Sequence, residues 1–101
     1  MAQFYPLKVL DVIKETEDCV SLILEPNDRG NFSFKAGQYL TLKATINGEE
    51  VRRSYSLSTS PNEGVLRVAV KEVPGGLFST FANKELKAGD MIESLPPDGR
   101  F

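Results

Sequence analysis

The dipeptide Asn47-Gly48 is the feature that most restricts how this chain can fold. Before it, Tyr39–Ile46 (YLTLKATI) alternates apolar and polar residues, as a half-buried strand does. After it, Val51–Pro61 (VRRSYSLSTSP) has a second strand-like pattern. An Asn-Gly pair between two such stretches is the strongest short signal for a tight β-hairpin. The chain is therefore predicted to be built around antiparallel β-structure.

Four further stretches have strand patterns, and one has a helical pattern. The helix is predicted over Leu77–Leu86, with Gly89 in the place of the glycine that commonly follows a helix. A second tight turn is predicted at Asn62–Gly64. The further strands are Phe4–Lys14, Val20–Glu25, Val65–Val70 and Met91–Leu95. Six short strands with one late helix favour an all-β fold, a small antiparallel barrel or sandwich that is closed to protect its edges.

Charge and hydropathy exclude two classes of partner. The chain has 101 residues, enough for one domain, with a formal net charge of −2 and a pI near 5.1. It therefore lacks the basic excess that binding to nucleic acid requires. No apolar run approaches the length of a membrane span, and the first residues have no signal-peptide pattern.

The scarcity of histidine and cysteine limits the chemistry. There is no histidine, and the single cysteine, Cys19, cannot form an internal disulfide, which fits a reducing cytoplasm. Zinc sites, iron–sulfur ligand sets and Ser-His-Asp triads are therefore excluded. Any catalysis by this chain would have to depend on a bound cofactor.

The segment Val51–Pro61 carries side chains that a purely structural strand does not need. Arg53 offers a planar fork of donors suited to phosphate or carboxylate, and Tyr55 lies on the same face of an extended chain. This pair suits a nucleotide or a flavin. Ser56 is expected to face the other way and to reach the same ligand only through twist, a bulge or its backbone N–H. The alternative is an ordinary strand with a solvated arginine, a half-buried tyrosine and edge serines.

A second feature suited to anions is Gly75-Gly76-Leu77-Phe78-Ser79, at the start of the predicted helix. Paired glycines let a ligand approach the backbone, and the free N–H groups and positive dipole end of a helix start hold an anion. The alternative is that the glycines end the preceding strand and that Ser79 caps or pads the first turn. Together with the arginine segment, this turn offers two candidate phosphate sites beside an aromatic ring, as a diphosphate cofactor would need.

Four short motifs follow one another along the chain: Gly37-Gln38-Tyr39, Arg53-Ser54-Tyr55-Ser56, Gly75-Gly76-Leu77-Phe78-Ser79 and Pro97-Asp98-Gly99-Arg100-Phe101. In residues and in order they resemble the flavin-binding domain of the ferredoxin–NADP reductase-like flavoprotein reductases. Within that family the sequence is most similar to the reductase component of the phenylacetate-degradation system, which serves a phenylacetyl-CoA epoxidase. The resemblance implies a six-stranded antiparallel Greek-key barrel with one short helix over residues 1–101.

The resemblance also implies a role for each motif residue. Arg53 would bind the FAD diphosphate, Tyr55 would stack on the isoalloxazine, and Ser56 would lie near N5, where hydride arrives. Tyr55 and Ser56 are therefore the expected catalytic residues, and no metal ligand is expected. FAD is expected rather than FMN because the turn before the helix supplies a second phosphate site. The other expected cofactor contacts are Ser54 in the same motif, Val70, Lys71 and Glu72 along the ribityl and adenosine part, and Gly75, Gly76, Leu77, Phe78 and Ser79 around the diphosphate.

The activity implied by the resemblance is that of an NAD(P)H-dependent oxidoreductase. Electrons would pass from NAD(P)H through FAD to an iron–sulfur centre that serves an oxygenase. Because the chain stops at Phe101, where the family's NAD(P)-binding domain begins, we expect an isolated FAD-binding domain that is inactive alone. The expected partners are that NAD(P)-binding domain and a ferredoxin-type or oxygenase electron acceptor, with a 2Fe-2S domain outside this chain. The end near Pro96–Phe101 is expected to leave an apolar patch that favours dimers.

Two other functions are compatible with the sequence. One is a non-enzymatic β-barrel that binds a nucleotide, a sugar or a partner protein, since small barrels host many functions. The other is a flavin-binding barrel without a redox role. Reduction of the flavin by NAD(P)H in a longer chain would exclude the second.

Overall fold

Six antiparallel strands and one helix make up most of the described chain. The computed structural model describes residues 3–27, 29–35, 37–58 and 65–99, so the predicted turn at Asn62–Gly64 and the motif residues Arg100 and Phe101 lie outside it. A short 3₁₀ helix, Arg29–Phe32, precedes the third strand. The strands are β1 Tyr5–Thr16, β2 Cys19–Pro26, β3 Tyr39–Ile46, β4 Glu49–Ser56, β5 Leu66–Lys71 and β6 Met91–Ser94, and the helix is α1 Leu77–Lys84.

The strands form one sheet in the order β4-β3-β6-β1-β2-β5. The predicted fold class is confirmed, and β6 lies between β3 and β1 rather than beside β5, as in a Greek-key connection. The prediction of a closed sheet is wrong. Between the two edges of the sheet, backbone pairing within the described residues is limited to a bridge between Leu57, which follows β4, and Val68 of β5, where Ser58 N–H donates to Arg67 O at 2.8 Å. Helix α1 packs against both edge strands. It therefore covers part of the strand edges that a closed sheet would have paired with each other.

The β3–β4 hairpin predicted from Asn47-Gly48 is confirmed. Asn47 and Gly48 have φ angles of 53° and 79°, the positive values that a two-residue hairpin turn of the right twist requires. From this turn the two strands pair without a register shift as far as Tyr39 and Ser56. The regular register fixes which β4 side chains share a face.

Helix α1 ends earlier than its sequence pattern predicts. The last helical residue is Lys84 and the C-cap is Glu85, because the chain turns there and buries Leu86, which is only 7% exposed. Gly89 therefore does not follow the helix directly. It has a φ of 96° in the turn before β6, and its N–H donates to Val9 O at 2.8 Å. The positive φ angle explains why glycine occupies this position, but the turn it forms is the one before β6 and not the end of the helix.

The hydrophobic core lies between the inner face of the sheet and α1. In β2, Val20, Leu22 and Leu24 are at most 3% exposed and form part of this core. Phe78 is the largest of the fully buried side chains, and it brings α1 onto the sheet. The other fully buried apolar side chains are Leu7, Val9, Leu22, Leu24, Leu40, Leu42, Val68, Val70 and Ala82.

A polar clamp joins three strands at the far end of β1. This strand continues to Thr16, beyond the predicted end at Lys14. Glu15 Oε2 accepts hydrogen bonds from Ser21 Oγ and Arg67 Nη2, both at 2.7 Å. One carboxylate thereby connects β1, β2 and β5.

We expect the contribution of Glu15 to stability to disappear at low pH. The hydrogen bonds from Ser21 and Arg67 hold the pKa of Glu15 below its ordinary value of 4.5. Because the pKa is lower in the folded than in the unfolded state, the stabilisation is present above that ordinary value and is lost as the pH falls through the folded-state pKa. Thermal unfolding of the wild type and Glu15→Gln should show a difference in Tm at neutral pH that shrinks near pH ~3. A difference of equal size at both pH values would contradict this account.

Candidate functional site

The inward face of β4 carries the arginine and the tyrosine that the sequence analysis identified as candidate ligand contacts. In the regular pairing with β3, Val51, Arg53, Tyr55 and Leu57 alternate on one face. Val51 and Leu57, at the ends of this row, are buried in the core. Arg53 is exposed and Tyr55 is half-buried, so between two core residues the face opens to solvent. The predicted placement of Arg53 and Tyr55 on one face is therefore found.

The guanidinium of Arg53 lacks an acidic partner in the described part of the chain. Its Nη1 donates to the carbonyl of Arg52 at 2.6 Å, and no described carboxylate lies within 4.0 Å of it. Arg52 differs, because its Nη2 lies 2.9 Å from Glu50 Oε2 and its guanidinium carbon lies 4.8 Å from the centre of the Phe4 ring. Of these two neighbouring arginines, Arg53 is the one whose charge is not paired with a described carboxylate, so an anion would meet no competing counter-charge there.

Tyr55 connects this face to the helix. Its ring packs against Phe78 with 5.6 Å between the ring centroids and 37° between the planes. Burial raises the pKa of the Tyr55 hydroxyl, while the positive charge of Arg53 acts in the opposite direction. The arginine therefore lies close enough to the phenol to act on it electrostatically. Since Phe78 is fully buried and Tyr55 is not, one side of the tyrosine ring is supported and the rest is accessible.

The N-terminus of α1 offers backbone donors beside this aromatic pair. Gly76 is the N-cap and supplies no side-chain capping bond, and its carbonyl accepts from Thr80 N–H at 3.1 Å. The N–H groups of Leu77, Phe78 and Ser79 have no acceptor among the described residues, as expected for the first turn of a helix. Because Phe78 touches Tyr55, the fold brings together the two features that the sequence suggested for phosphate.

Both glycines of the turn also have a structural reason. Gly75 has a φ of 78°, which other residues rarely adopt. A Cβ on Gly76 would lie 2.6 Å from Ser79 Oγ and 3.1 Å from Val73 O. The Ser79 hydroxyl is buried; it accepts from Val73 N–H at 3.0 Å and lies 3.4 Å from Gly76 O. This hydroxyl stabilises the turn, as the alternative interpretation held, and only the backbone N–H of Ser79 is left for a ligand.

The three residues expected along the ribityl and adenosine part of FAD differ in which backbone groups remain available to a ligand. Val70 pairs with β2, and its carbonyl also accepts from Asn83 Nδ2 at 3.0 Å. Glu72 N–H donates to Asp18 O at 2.6 Å. Since backbone groups alternate in direction along an antiparallel strand, the N–H and C=O of Lys71 point to the open edge of β5. Of the three residues, Lys71 is the one whose backbone N–H and C=O face the open edge of β5.

Ser54 and Ser56 have side chains on the opposite face of β4. Ser54 Oγ lies 2.9 Å from Thr41 Oγ1, and the Ser56 side chain is exposed opposite Tyr39. No bulge interrupts the register, so the Ser56 hydroxyl is not rotated toward Tyr55. Leu57 N–H donates to Gln38 O at 2.9 Å, and the preceding N–H, that of Ser56, therefore points away from β3 to the open edge. Of the donors of Ser56, this backbone N–H at the edge of the sheet is the one that is not on the face opposite Tyr55.

One residue that sequence reasoning did not bring forward is Asn83. Its side-chain amide donates to Val70 O at 3.0 Å and to Ser79 O at 2.9 Å, which ties α1 to β5. The signal in the sequence is a polar residue four positions after Ser79, on a face of the helix that should pack against the sheet.

Three further properties of the described residues concern metal ligands, membrane spans and surface shape. No described group of His, Cys, Asp or Glu side chains could hold a metal ion. No helix within the described ranges is long and apolar enough to cross a membrane. A depression of about 310 Å³ lies on the outer face of β3, away from Arg53, and is lined by Tyr39, Thr41, Leu95, Pro96, Pro97 and Asp98.

Comparison with known proteins gives a family match and close sequence relatives. The family model described as "Oxidoreductase FAD-binding domain" matches residues 6–101. One component of the 1,2-phenylacetyl-CoA epoxidase from Escherichia coli is 39% identical, over 100% of this chain and 29% of that protein. The reductase component of propane 2-monooxygenase from Mycolicibacterium goodii is 40% identical, over 93% of this chain and 27% of that protein. The chain thus spans less than a third of these relatives.

Solved structures show the same fold. A flavohemoglobin from Malassezia yamatoensis with bound FAD and heme superposes with a TM-score of 0.85 at 27% identity, covering 97% of this chain and 26% of that one. A cytochrome P450 reductase from Amycolatopsis superposes with a TM-score of 0.84 at 32% identity, covering 99% of this chain and 29% of that one.

We expect Gly76→Ala to destabilise the protein through Ser79. The added Cβ would lie 2.6 Å from Ser79 Oγ, and overpacking of this kind costs about 1–3 kcal/mol. In a double-mutant cycle measured by urea unfolding, Gly76→Ala should cost less when Ser79 is also changed to alanine, because one of its two close contacts is removed. Additive effects of the two substitutions would show that the clash with Ser79 does not set the requirement for glycine.

Proposed function

We propose, from the premise that this chain belongs to the family of oxidoreductase FAD-binding domains, that it holds FAD between β4 and the N-terminus of α1. The observation that carries the proposal is the position of Arg53. Its guanidinium has no acidic partner in the described chain and lies beside Tyr55, which packs on the helix that begins at Gly76. A cation, an aromatic ring and free helix N–H groups therefore converge at one end of the sheet.

The donors of this site fit a diphosphate. Arg53 supplies guanidinium N–H groups from one side, and Leu77, Phe78 and Ser79 supply backbone N–H groups from the other. FMN, with one phosphate, would leave part of this donor set without an acceptor. The number of donors therefore supports FAD over FMN.

Tyr55 and Ser56 would act on the ring of the flavin. The accessible side of Tyr55 offers a flat apolar surface that excludes water from one ring face. Ser56 would donate its backbone N–H from the open edge of β4 rather than its hydroxyl. When bound, FAD supplies the capacity to accept a hydride and to release electrons singly, and the protein supplies position and electrostatics.

Partners are proposed from the relatives. We infer that the chain is part of a longer NAD(P)H-dependent oxidoreductase that passes electrons from NAD(P)H through FAD to an iron–sulfur centre serving an oxygenase. Two relatives support this: one is a component of an epoxidase and the other is the reductase component of a monooxygenase. A neighbour from Vibrio cholerae, 28% identical, is described as an FAD/NAD binding domain. The choice between NADH and NADPH, dimer formation and a cytoplasmic location stay predictions from the sequence.

We expect Arg53→Ala to weaken FAD binding by about 1.5–3 kcal/mol, the usual contribution of a hydrogen bond to a charged group. Isothermal titration of the 101-residue chain with FAD measures this directly. Arg52→Ala is the matched control, because Arg52 lies on the opposite face and is paired with Glu50. Equal affinity of Arg53→Ala and the wild type would remove the phosphate role.

The same titration separates the proposal from a non-enzymatic binding module. Wild-type protein that stays colourless and takes up no added FAD would favour the module and overturn the flavin proposal. Uptake of FAD with a yellow colour would support the flavin proposal.

We expect Tyr55→Ala to change the visible absorption spectrum of bound FAD. An aromatic ring stacked on the isoalloxazine alters the energies of its visible transitions, and alanine removes that ring. Tyr39→Ala is the control, because Tyr39 lies on the outer face of the sheet opposite Ser56. A spectrum that is unchanged in Tyr55→Ala at full FAD occupancy would exclude stacking on this residue.

A further inference from the structure

Asn83 holds the start of α1 to the end of β5. Its Nδ2 donates to Val70 O at 3.0 Å and to Ser79 O at 2.9 Å. The first acceptor belongs to the strand and the second to the first turn of the helix. An amide nitrogen carries two hydrogens, so both are used here.

The orientation of this amide is fixed by its acceptors. Two carbonyl oxygens lie at hydrogen-bond distance from one atom of the amide, and only the nitrogen can donate to both. With the amide reversed, the oxygen would face two other oxygens and neither bond would form. The side chain is half-buried, so losing these bonds would leave Val70 O and Ser79 O less well satisfied.

The other polar contacts near α1 and β5 either do not involve the strand itself or are weak. Val73 N–H donates to Ser79 Oγ at 3.0 Å, which closes the turn but does not reach the strand. Lys84 Nζ lies 3.8 Å from Glu72 Oε1, and its side chain is 64% exposed, so this ion pair contributes little. Asn83 is therefore the polar contact that sets the helix start against the strand itself.

We propose that Asn83 is a positioning residue that makes the site selective for a flavin dinucleotide over a flavin mononucleotide. The inference deepens the proposed function and depends on it. Val70 O is adjacent to Lys71, whose backbone points to the open edge, and Ser79 lies in the turn that offers free N–H groups. By fixing these two carbonyls, Asn83 fixes the distance between the edge of β5 and the donors of α1. A ligand that spans both elements depends on that distance, whereas a ligand held mainly by β4 does not.

The test compares FAD and FMN on the same variants. Asn83→Leu keeps a similar volume and removes both donors. Quenching of flavin fluorescence during titration should show the Kd for FAD raised about fivefold, the value of one lost hydrogen bond, and the Kd for FMN raised less than about twofold. Asn83→Gln retains two donors on a longer side chain, so its FAD affinity should lie between those of Asn83→Leu and the wild type. This variant decides the outcome if Asn83→Leu does not fold.

Leu86→Ala is the control for loss of stability alone. Leu86 is buried just after α1 and has no part in the amide contact. Its replacement should lower Tm but leave the ratio of the two dissociation constants unchanged. Equal weakening of FAD and FMN by the Asn83 variants, or no weakening of either, would overturn the positioning role while the proposed function stands. Failure of the wild type to bind either flavin would overturn the proposed function itself.

Discussion

The contact between Tyr55 and Phe78 is the interaction on which the candidate site depends. Tyr55 belongs to an edge strand and Phe78 to the first turn of α1, so their packing joins the helix N-terminus to the strand that carries Arg53. Phe78 is fully buried, and the helix is too short to be stable without such packing. The side chain that anchors the helix in the core is thus also the one that links the two candidate anion-binding features.

The site also depends on the sheet being left open. In a closed barrel, the outward N–H and C=O groups of β4 and β5 would pair with each other. Here, as far as the described residues extend, the two edges meet at Leu57 and Val68. Ser56 and Lys71 therefore keep backbone groups for a ligand, and α1 covers the same region with its donors. A ligand bound here, as proposed, would take over hydrogen bonding that a neighbouring strand would otherwise provide.

Local patterns predicted the fold well, and long-range contacts explain most of what they missed. The Asn47-Gly48 turn and the alternation in β3 fixed the register, and with it the shared face of Arg53 and Tyr55. The end of α1 was misplaced because the burial of Leu86 outweighs the helical pattern. Asn83 was missed because its hydrogen-bond acceptor on the sheet, the carbonyl of Val70, is thirteen residues away in the sequence. Periodicity carries no information about such a pair.

The two anion-suited motifs differ in how much of their chemistry the fold already uses. The glycines and the hydroxyl of Ser79 are needed to form the turn. Their presence in the sequence is therefore explained by folding as well as it is by ligand binding. Arg53 is the opposite case. It forms one hydrogen bond to a neighbouring carbonyl, whereas Arg52 is engaged by both Glu50 and Phe4. A cation with no counter-charge among the described residues, beside a ring that the fold only half buries, is what the proposed ligand-binding role predicts.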